Sequence, residues 1–182
     1  MAVCLITKGL TKDNFCGYSL PQIVELYLAN FSEVTGTTLT ENKQEVATIT
    51  LAQSAKFYKV EPAINSASWS DTLAVGANGN KYRIHTIGFS FSSAYDADMA
   101  DTIDALALGK YIAVARMADG KYIMLGRNTG LEAQADGANN SGSGDATAEA
   151  GLVVSLTANM LEVALPLTDA AVATVTGVQV GG

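Results

Sequence analysis

Hydrophobic and polar positions alternate with period two along several stretches of this chain, and with a helical period along one. In "GNKYRIHTIGFSFSS", His85, Ile87, Phe89 and Phe91 share one face, and Thr86, Gly88, Ser90 and Ser92 share the other. A Gly/Asn turn therefore leads into a strand with one apolar face and one small, polar face. "QEVATITLAQ" sets Val46, Thr48 and Thr50 opposite Ala47, Ile49 and Leu51, and its β-branched content favours a strand. "YSLPQIVELYLANFSEV" is denser. Ile23, Val24, Leu26, Tyr27, Leu28 and Phe31 suit either a short helix or a buried strand, and periodicity leaves both readings open.

The helical stretch is "YDADMADTIDALALGK". Met99, Ile103 and Leu106 form its apolar stripe, Asp96 or Asp98 caps its start, and Gly109 stands where a left-handed C-cap belongs. Asp98, Asp101 and Asp104 lie on its outer side; without the glycine and terminal glutamate of a calcium loop they read as a solvated acidic face. In "GKYIAVARMADGKYIMLG", Asp119-Gly120 separates two apolar-rich runs. This predicts a hairpin of Lys110 to Ala118 and Lys121 to Gly126 around a type I′ turn. Gly-Lys-Tyr-Ile occurs twice here, but one glycine ends a helix and the other makes the turn. Neither lysine is followed by Ser or Thr, which excludes a phosphate-cradling loop.

Residues 135–151, "ADGANNSGSGDATAEAG", predict a long flexible loop. "GLVVSLTANMLEVALPL" returns to a strand pattern ended by Pro166. The tail sets Val172, Thr174 and Thr176 opposite Ala173, Val175 and Gly177, predicting an uncharged C-terminal arm or strand over 167–182 that invites pairing with a neighbour. Trp69 falls in "SASWSDTLAVG", read as a Ser-rich connection where it either anchors a partner or covers the core's edge. The expected fold is mainly β: a β-sandwich or barrel of antiparallel strands with one flanking α-helix, a long loop and terminal arms, in a single domain spanning 1–182.

Composition changes this picture in two ways. With 48% hydrophobic and only 16% charged residues, the surface is thinly charged for a free monomer, which favours assembly. A formal net charge of -7 argues against gripping nucleic-acid phosphates, since such affinity needs clustered Lys and Arg. His85 is the single histidine, and Cys4 and Cys16 the only cysteines, so a four-ligand zinc site is not supplied; a disulfide stays open. "MAVCLITKGLTKDN" lacks the apolar core of a signal peptide, and no run is long enough for a membrane anchor, so synthesis in the cytoplasm is expected. There is no Gly-x-Ser-x-Gly elbow and no carboxylate pair with acid–base spacing, so no enzyme, cofactor or metal is expected. His85, among apolar companions, reads as a packed or interface histidine.

Several segments carry a family resemblance. "KGLTKDNFCGYSLPQIVELYLANFSEVTG", with Tyr27-Leu28-Ala29-Asn30 closing its strand, resembles the opening of small virion structural proteins from phages and prophages of Bacteroides-type bacteria. The likeness continues through "KFYKVE", "NGNKYRIHTIGFSF", "ALALGKYIAVARMADGKYIMLGRNTGLEA", "SGSGD" and "GLVVSLTANMLEVA", and includes Leu125-Gly126 and Gly130-Leu131-Glu132. It reaches to about Leu165 and leaves the tail outside.

That family is similar to phage tail tube (major tail) proteins. The resemblance implies a hexameric ring of self-assembling subunits, stacked into a hollow conduit for DNA ejection in the virion tail. DNA would pass an acidic lumen without specific binding. The implied partners are further copies and other virion tail proteins. Candidate inter-subunit residues are Tyr111, Arg116, Tyr122, Arg127, Val172, Val175 and Val178, and candidate lumen acids are Asp98, Asp101, Asp104 and Asp136. Alternatives are a head decoration or head–tail connector protein, and, from another class, a soluble β-sandwich module binding a glycan or peptide through the Asn/Gly/Ser loop.

Overall fold

Residues 22–42, 44–91, 97–141 and 151–177 are described by the computed structural model, and strands dominate them. In chain order they form β1 (Ile23–Asn30), a 3-10 turn (Phe31–Glu33), β2 (Val34–Leu39), β3 (Val46–Leu51), β4 (Tyr58–Val60) and β5 (Ser68–Val75). There follow β6 (Lys81–Phe91), α1 (Ala97–Leu108), β7 (Lys110–Met117), β8 (Tyr122–Leu125), β9 (Leu131–Ser141), β10 (Gly151–Met160), β11 (Leu165–Pro166) and α2 (Asp169–Gly177). The fold is mainly β and sandwich-like, as the strand patterns imply.

Nine strands make one antiparallel sheet. Its path runs β11-β8-β7-β9-β10-β6-β5, with β1 on the other side of β7 and β4 beyond β1. β2 and β3 form a separate hairpin. Leu26 and Leu28 of β1 share a core with Ile87 and Phe89 of β6, although β7, β9 and β10 intervene in the sheet. The sheet therefore curls back on itself, and its two limbs pack face to face.

β1 and β7 are the middle layer. Tyr111, Ala113, Ala115 and Met117 of β7 face the first core with β6, β10 and α1. Ile112 and Val114 face a second core, closed by Val46 and Ile49 of β3, Phe57, and Ala171 and Val175 of α2. A strand buried on both faces has no polar side to show. This is why the run from Ile23 to Phe31 carries no period, and why it is a strand.

Four sequence expectations are corrected here. Over Asp169–Gly177 the tail is helix α2 rather than a strand, with Ala171 and Val175, four residues apart, fully buried on one stripe; 178–182 lie outside the described residues. The Ala171 N–H donates to Thr168 Oγ1 at 3.4 Å, an N-cap bond. Packing and capping override the β-branched composition. The loop over 135–151 is strand as far as Ser141, because β9 needs only backbone partners and finds them in β10, from Gly151↔Ser141 to Val154↔Ala138; 142–150 lie outside the described residues. Trp69 belongs to β5, where it faces Ile87 of β6 and packs on the first core. Finally, a register shift between Thr38 and Leu39 puts Val46 and Ile49 on the same buried side of β3.

Turn chemistry departs in detail. Gly120 has φ 86 but Asp119 does not have positive φ, so the hairpin is not type I′. Instead the Gly120 N–H donates to Met117 O and the Met117 N–H to Lys121 O, a three-residue loop with a bulge. Gly76 to Asn80 repeats the pattern, with Gly79 at φ 77. Gly109 lacks positive φ; it clears space for Tyr111, whose hydroxyl donates to Ala105 O at 2.5 Å. The Asp96 cap lies outside the described residues, and Asp98 lies within α1 rather than before it.

Leu125-Gly126 and Gly130-Leu131-Glu132 form the corner from β8 into β9. Gly126 has φ 78, and a Cβ there would stand 2.7 Å from Leu131 Cγ and 3.1 Å from Tyr111 O. Gly126→Ala is expected to lower unfolding free energy by about 1–3 kcal/mol in urea titration. Gly36→Ala, at a site with nothing within 4 Å, is expected to stay within about 0.5 kcal/mol.

Candidate functional site

β5 is the long open edge of the sheet. Its pairing with β6 is unbroken over eight residues, from Ser68↔Gly88 to Val75↔Lys81, and it pairs with nothing else among the described residues. The Gly76 N–H donates to Asn80 O, making 76 and 80 a hydrogen-bonded pair. Antiparallel alternation then turns the backbone groups of Thr72 and Ala74 toward β6, and those of Trp69, Asp71, Leu73 and Val75 away from it. The Asp71 carbonyl accepts from Arg83 Nη2 at 3.3 Å. The others on that side have no backbone partner within the described chain.

Natural sheet edges are usually blunted by lysine, proline or a bulge. β5 has no lysine, proline or bulge: its sequence is Ser-Trp-Ser-Asp-Thr-Leu-Ala-Val, its register is regular, and its one charge, Asp71, is turned inward onto β6. Leu73 and Val75 are 58% and 60% exposed, so the edge is apolar where it runs beyond the core. Among the described residues the shorter β4 pairs with β1 alone.

A polar cluster anchors this edge from inside. Asp71 points from β5 onto β6, where Arg83 Nε donates to its Oδ1 at 2.6 Å and the Ala164 N–H to its Oδ2 at 2.9 Å. Burial pushes the Asp71 carboxyl up, but the bonds from Arg83 and Ala164 outweigh it and hold it below its ordinary value. His85, 1% exposed, stands 3.7 Å from Asp71 Oδ1. Its Nδ1 faces the Gly126 N–H at 3.5 Å and its Nε2 faces Glu162 O at 3.1 Å. Those partners select the neutral tautomer with the proton on Nε2. Arg127 then grips Glu162 through both carboxylate oxygens, Nε donating at 2.7 Å, and its Nη1 donates to Thr37 Oγ1 at 3.1 Å. The cluster thus ties β5, β6, the 126–130 corner, the 161–164 segment and β2 together.

The sequence-derived candidates are dispersed. Tyr111 and Val175 are interior to the subunit, 8% and 0% exposed, because β7 and α2 both face its own cores; they are not free for a neighbour. Arg116 and Tyr122 do come together, the guanidinium 5.9 Å from the ring centroid, and Arg116 pairs with Glu25 at 3.3 Å. Glu25 also accepts from Tyr27 at 3.1 Å, and burial together with that carboxylate pushes the Tyr27 hydroxyl up to about 12. Arg127 belongs to the cluster described above. Val172 is half-buried on α2, and Val178 lies outside the described residues. Asp101 and Asp104 are exposed on α1, which also carries Asp98, while Asp136 is on β9. Cys4 and Cys16 lie outside the described residues. Among the described residues no three His, Cys, Asp or Glu side chains form a metal-holding group, and no helix is long and apolar enough to cross a membrane.

β5, Asp71 and Glu162 are the additions that the structure makes. The signal for the strand was present: Trp69, Asp71, Leu73 and Val75 alternate with Ser and Ala ahead of an Asn-Gly turn. The geometry defines a class, a mainly β antiparallel protein whose described residues leave one long sheet edge, β5, without a second strand partner. No protein-family model matches the chain, and neither does any curated protein or solved structure.

Arg127→Met, which strands Glu162 in a site where both side chains are under 20% exposed, is expected to cost about 1.5–3 kcal/mol in denaturant unfolding. The double substitution Arg127→Met with Glu162→Leu is expected to recover part of that loss, since no charge is then left unpaired.

Proposed function

We propose that this protein is a structural subunit that assembles with its own copies, in the manner of a phage tail tube. The observation that carries the reading is the open edge of β5. Its outward N–H and C=O groups are satisfied best by another extended backbone, and every copy presents the same need. A heterologous contact, β5 on a different edge of the next copy, closes a ring and removes the free edge; β5 on β5 gives only a two-fold dimer. Rings stacked into a tube make a conduit in a virion tail, with other tail proteins as further partners.

Charge supports the same reading. Against 18 acidic residues the chain has 11 basic ones, and of the described basic residues Lys59, Arg83, Lys110, Arg116, Lys121 and Arg127 pair with a carboxylate, while Lys56 stands over the Tyr58 ring. Asp101 and Asp104 on exposed α1 are suited to a lumen that DNA crosses without being held. The chemistry proposed is geometry and strand pairing, with no catalytic step.

A second reading, a binding module, has one observation in its favour. A cleft of about 510 Å³ opens between α1 and the strands, lined by Leu28, Phe89, Phe91, Ala105, Leu106 and Tyr111. Its walls suit an apolar ligand rather than a glycan.

Negative-stain imaging and size-exclusion chromatography across rising protein concentration are expected to show rings or tubes. A stable monomer or a closed dimer would overturn the assembly. Leu73→Pro, placed where the N–H faces away from β6, leaves the β5–β6 ladder intact and is expected to return the protein to monomer with unchanged far-UV circular dichroism.

A further inference from the structure

His85 is the one buried polar side chain of the described core. It is held on two sides by backbone groups of opposite kind. Gly126 offers an N–H to Nδ1, and Glu162 offers a carbonyl to Nε2. A neutral imidazole satisfies both; a charged one satisfies only the carbonyl, because Nδ1 then presents a second hydrogen to an N–H.

We propose that His85 is a proton-operated latch: a proton taken up at Nδ1 turns its bond with the Gly126 N–H into a repulsion and frees the 126–130 corner from β6. The chain change is local at first. Gly126 begins the corner that carries β8 into β9, and Arg127, the next residue, holds the 161–164 segment through Glu162. The bond at Nδ1 is also the longest in the cluster, 3.5 Å, and is the first to yield.

The charged groups facing the ring come from each neighbouring element. β5 supplies Asp71, β6 itself supplies Arg83 and the 161–164 segment supplies Glu162, whose carboxylate Arg127 of the corner grips; β10 sets uncharged Ala158 opposite. Burial pushes the imidazole down, Asp71 and Glu162 oppose this, and the outcome is a group that titrates below its ordinary 6.5. An unfolded or opened chain therefore takes the proton first. Stability from the latch is complete above pH 6.5 and is lost as pH falls toward the lower folded value. Asp71, held below its own ordinary 3.8, stays ionised through that window and receives the imidazolium as the corner leaves.

The assignment is independent of whether copies assemble, so hydrogen exchange on the wild-type chain tests it alone. Amide exchange, corrected for its intrinsic pH dependence, is measured at pH 7.5 and pH 5.0 in peptides spanning 124–132 and, as a reference, 23–30 and 111–117. A loss of protection is expected in the first, with the reference peptides unchanged. Equal protection at both pH values, or a uniform loss across all peptides, would overturn the latch. His85→Gln keeps an acceptor and a donor but does not titrate. Its corner is expected to exchange alike at both pH values, and a pH-dependent opening that persists in this variant would assign the effect to another group. Fluorescence of Trp69, two residues from Asp71 on β5, gives a second reading of the wild-type transition: a shift below pH 6.5 is expected, and an unchanged spectrum counts against coupling to the edge.

Discussion

A strand pair buried on both faces must send its backbone polar groups into its own ladders, because neither face reaches water. β1 and β7 are in that position over residues 26–29 and 112–115, with one core on each side. Everything outside the pair is placed by it. One limb of the sheet closes over the first face, and the β2–β3 hairpin with α2 closes over the second. Replacing a fully buried side chain such as Leu26 or Phe57 by alanine removes contacts in a layer with no slack, at a cost of about 2–5 kcal/mol.

The middle layer also explains which elements could be read from sequence. Period-two patterns are visible where one face is wet: β6 shows His85, Ile87 and Phe89 inward and Thr86, Gly88 and Ser90 outward, as its sequence implies. β1 shows no period because both faces are dry. The tail misleads for the opposite reason, since alternating Val and Thr is also compatible with Ala171 and Val175 stacked one helical turn apart. The cap from Thr168 and the acidic Asp169 in the first turn were its local signs. β9 carries little apolar content, so its strand character resides in backbone pairing to β10, which side-chain patterns do not record.

The polar cluster was illegible for a different physical reason. His85 meets partners 41 and 77 positions away, Gly126 and Glu162, and nothing local to "YRIHTIG" announces them. Composition did limit the options. The packed reading of His85 agrees with its position, 1% exposed between β6, the 126–130 corner and the 161–164 segment. Its being held between a donor and an acceptor depends on the corner at Gly126, which itself depends on a positive φ that only the folded chain displays.

The open edge and the cluster meet at Asp71. Its backbone N–H lies on the outward side of β5, while its carboxylate is bound inward by Arg83 and Ala164 and faces His85. Strand addition requires an edge that is already straight and still, because ordering it during association subtracts from the affinity. A short unanchored hairpin end would fray, with the β5–β6 turn lying beyond the core and Leu73 and Val75 exposed. Asp71 prevents this by fixing β5 at the point where the core stops. The buried cluster and the exposed edge share one residue: Asp71 belongs to β5 by its backbone and to the cluster by its carboxylate, and the β5–β6 ladder, with Asp71 opposite His85, joins the two directly.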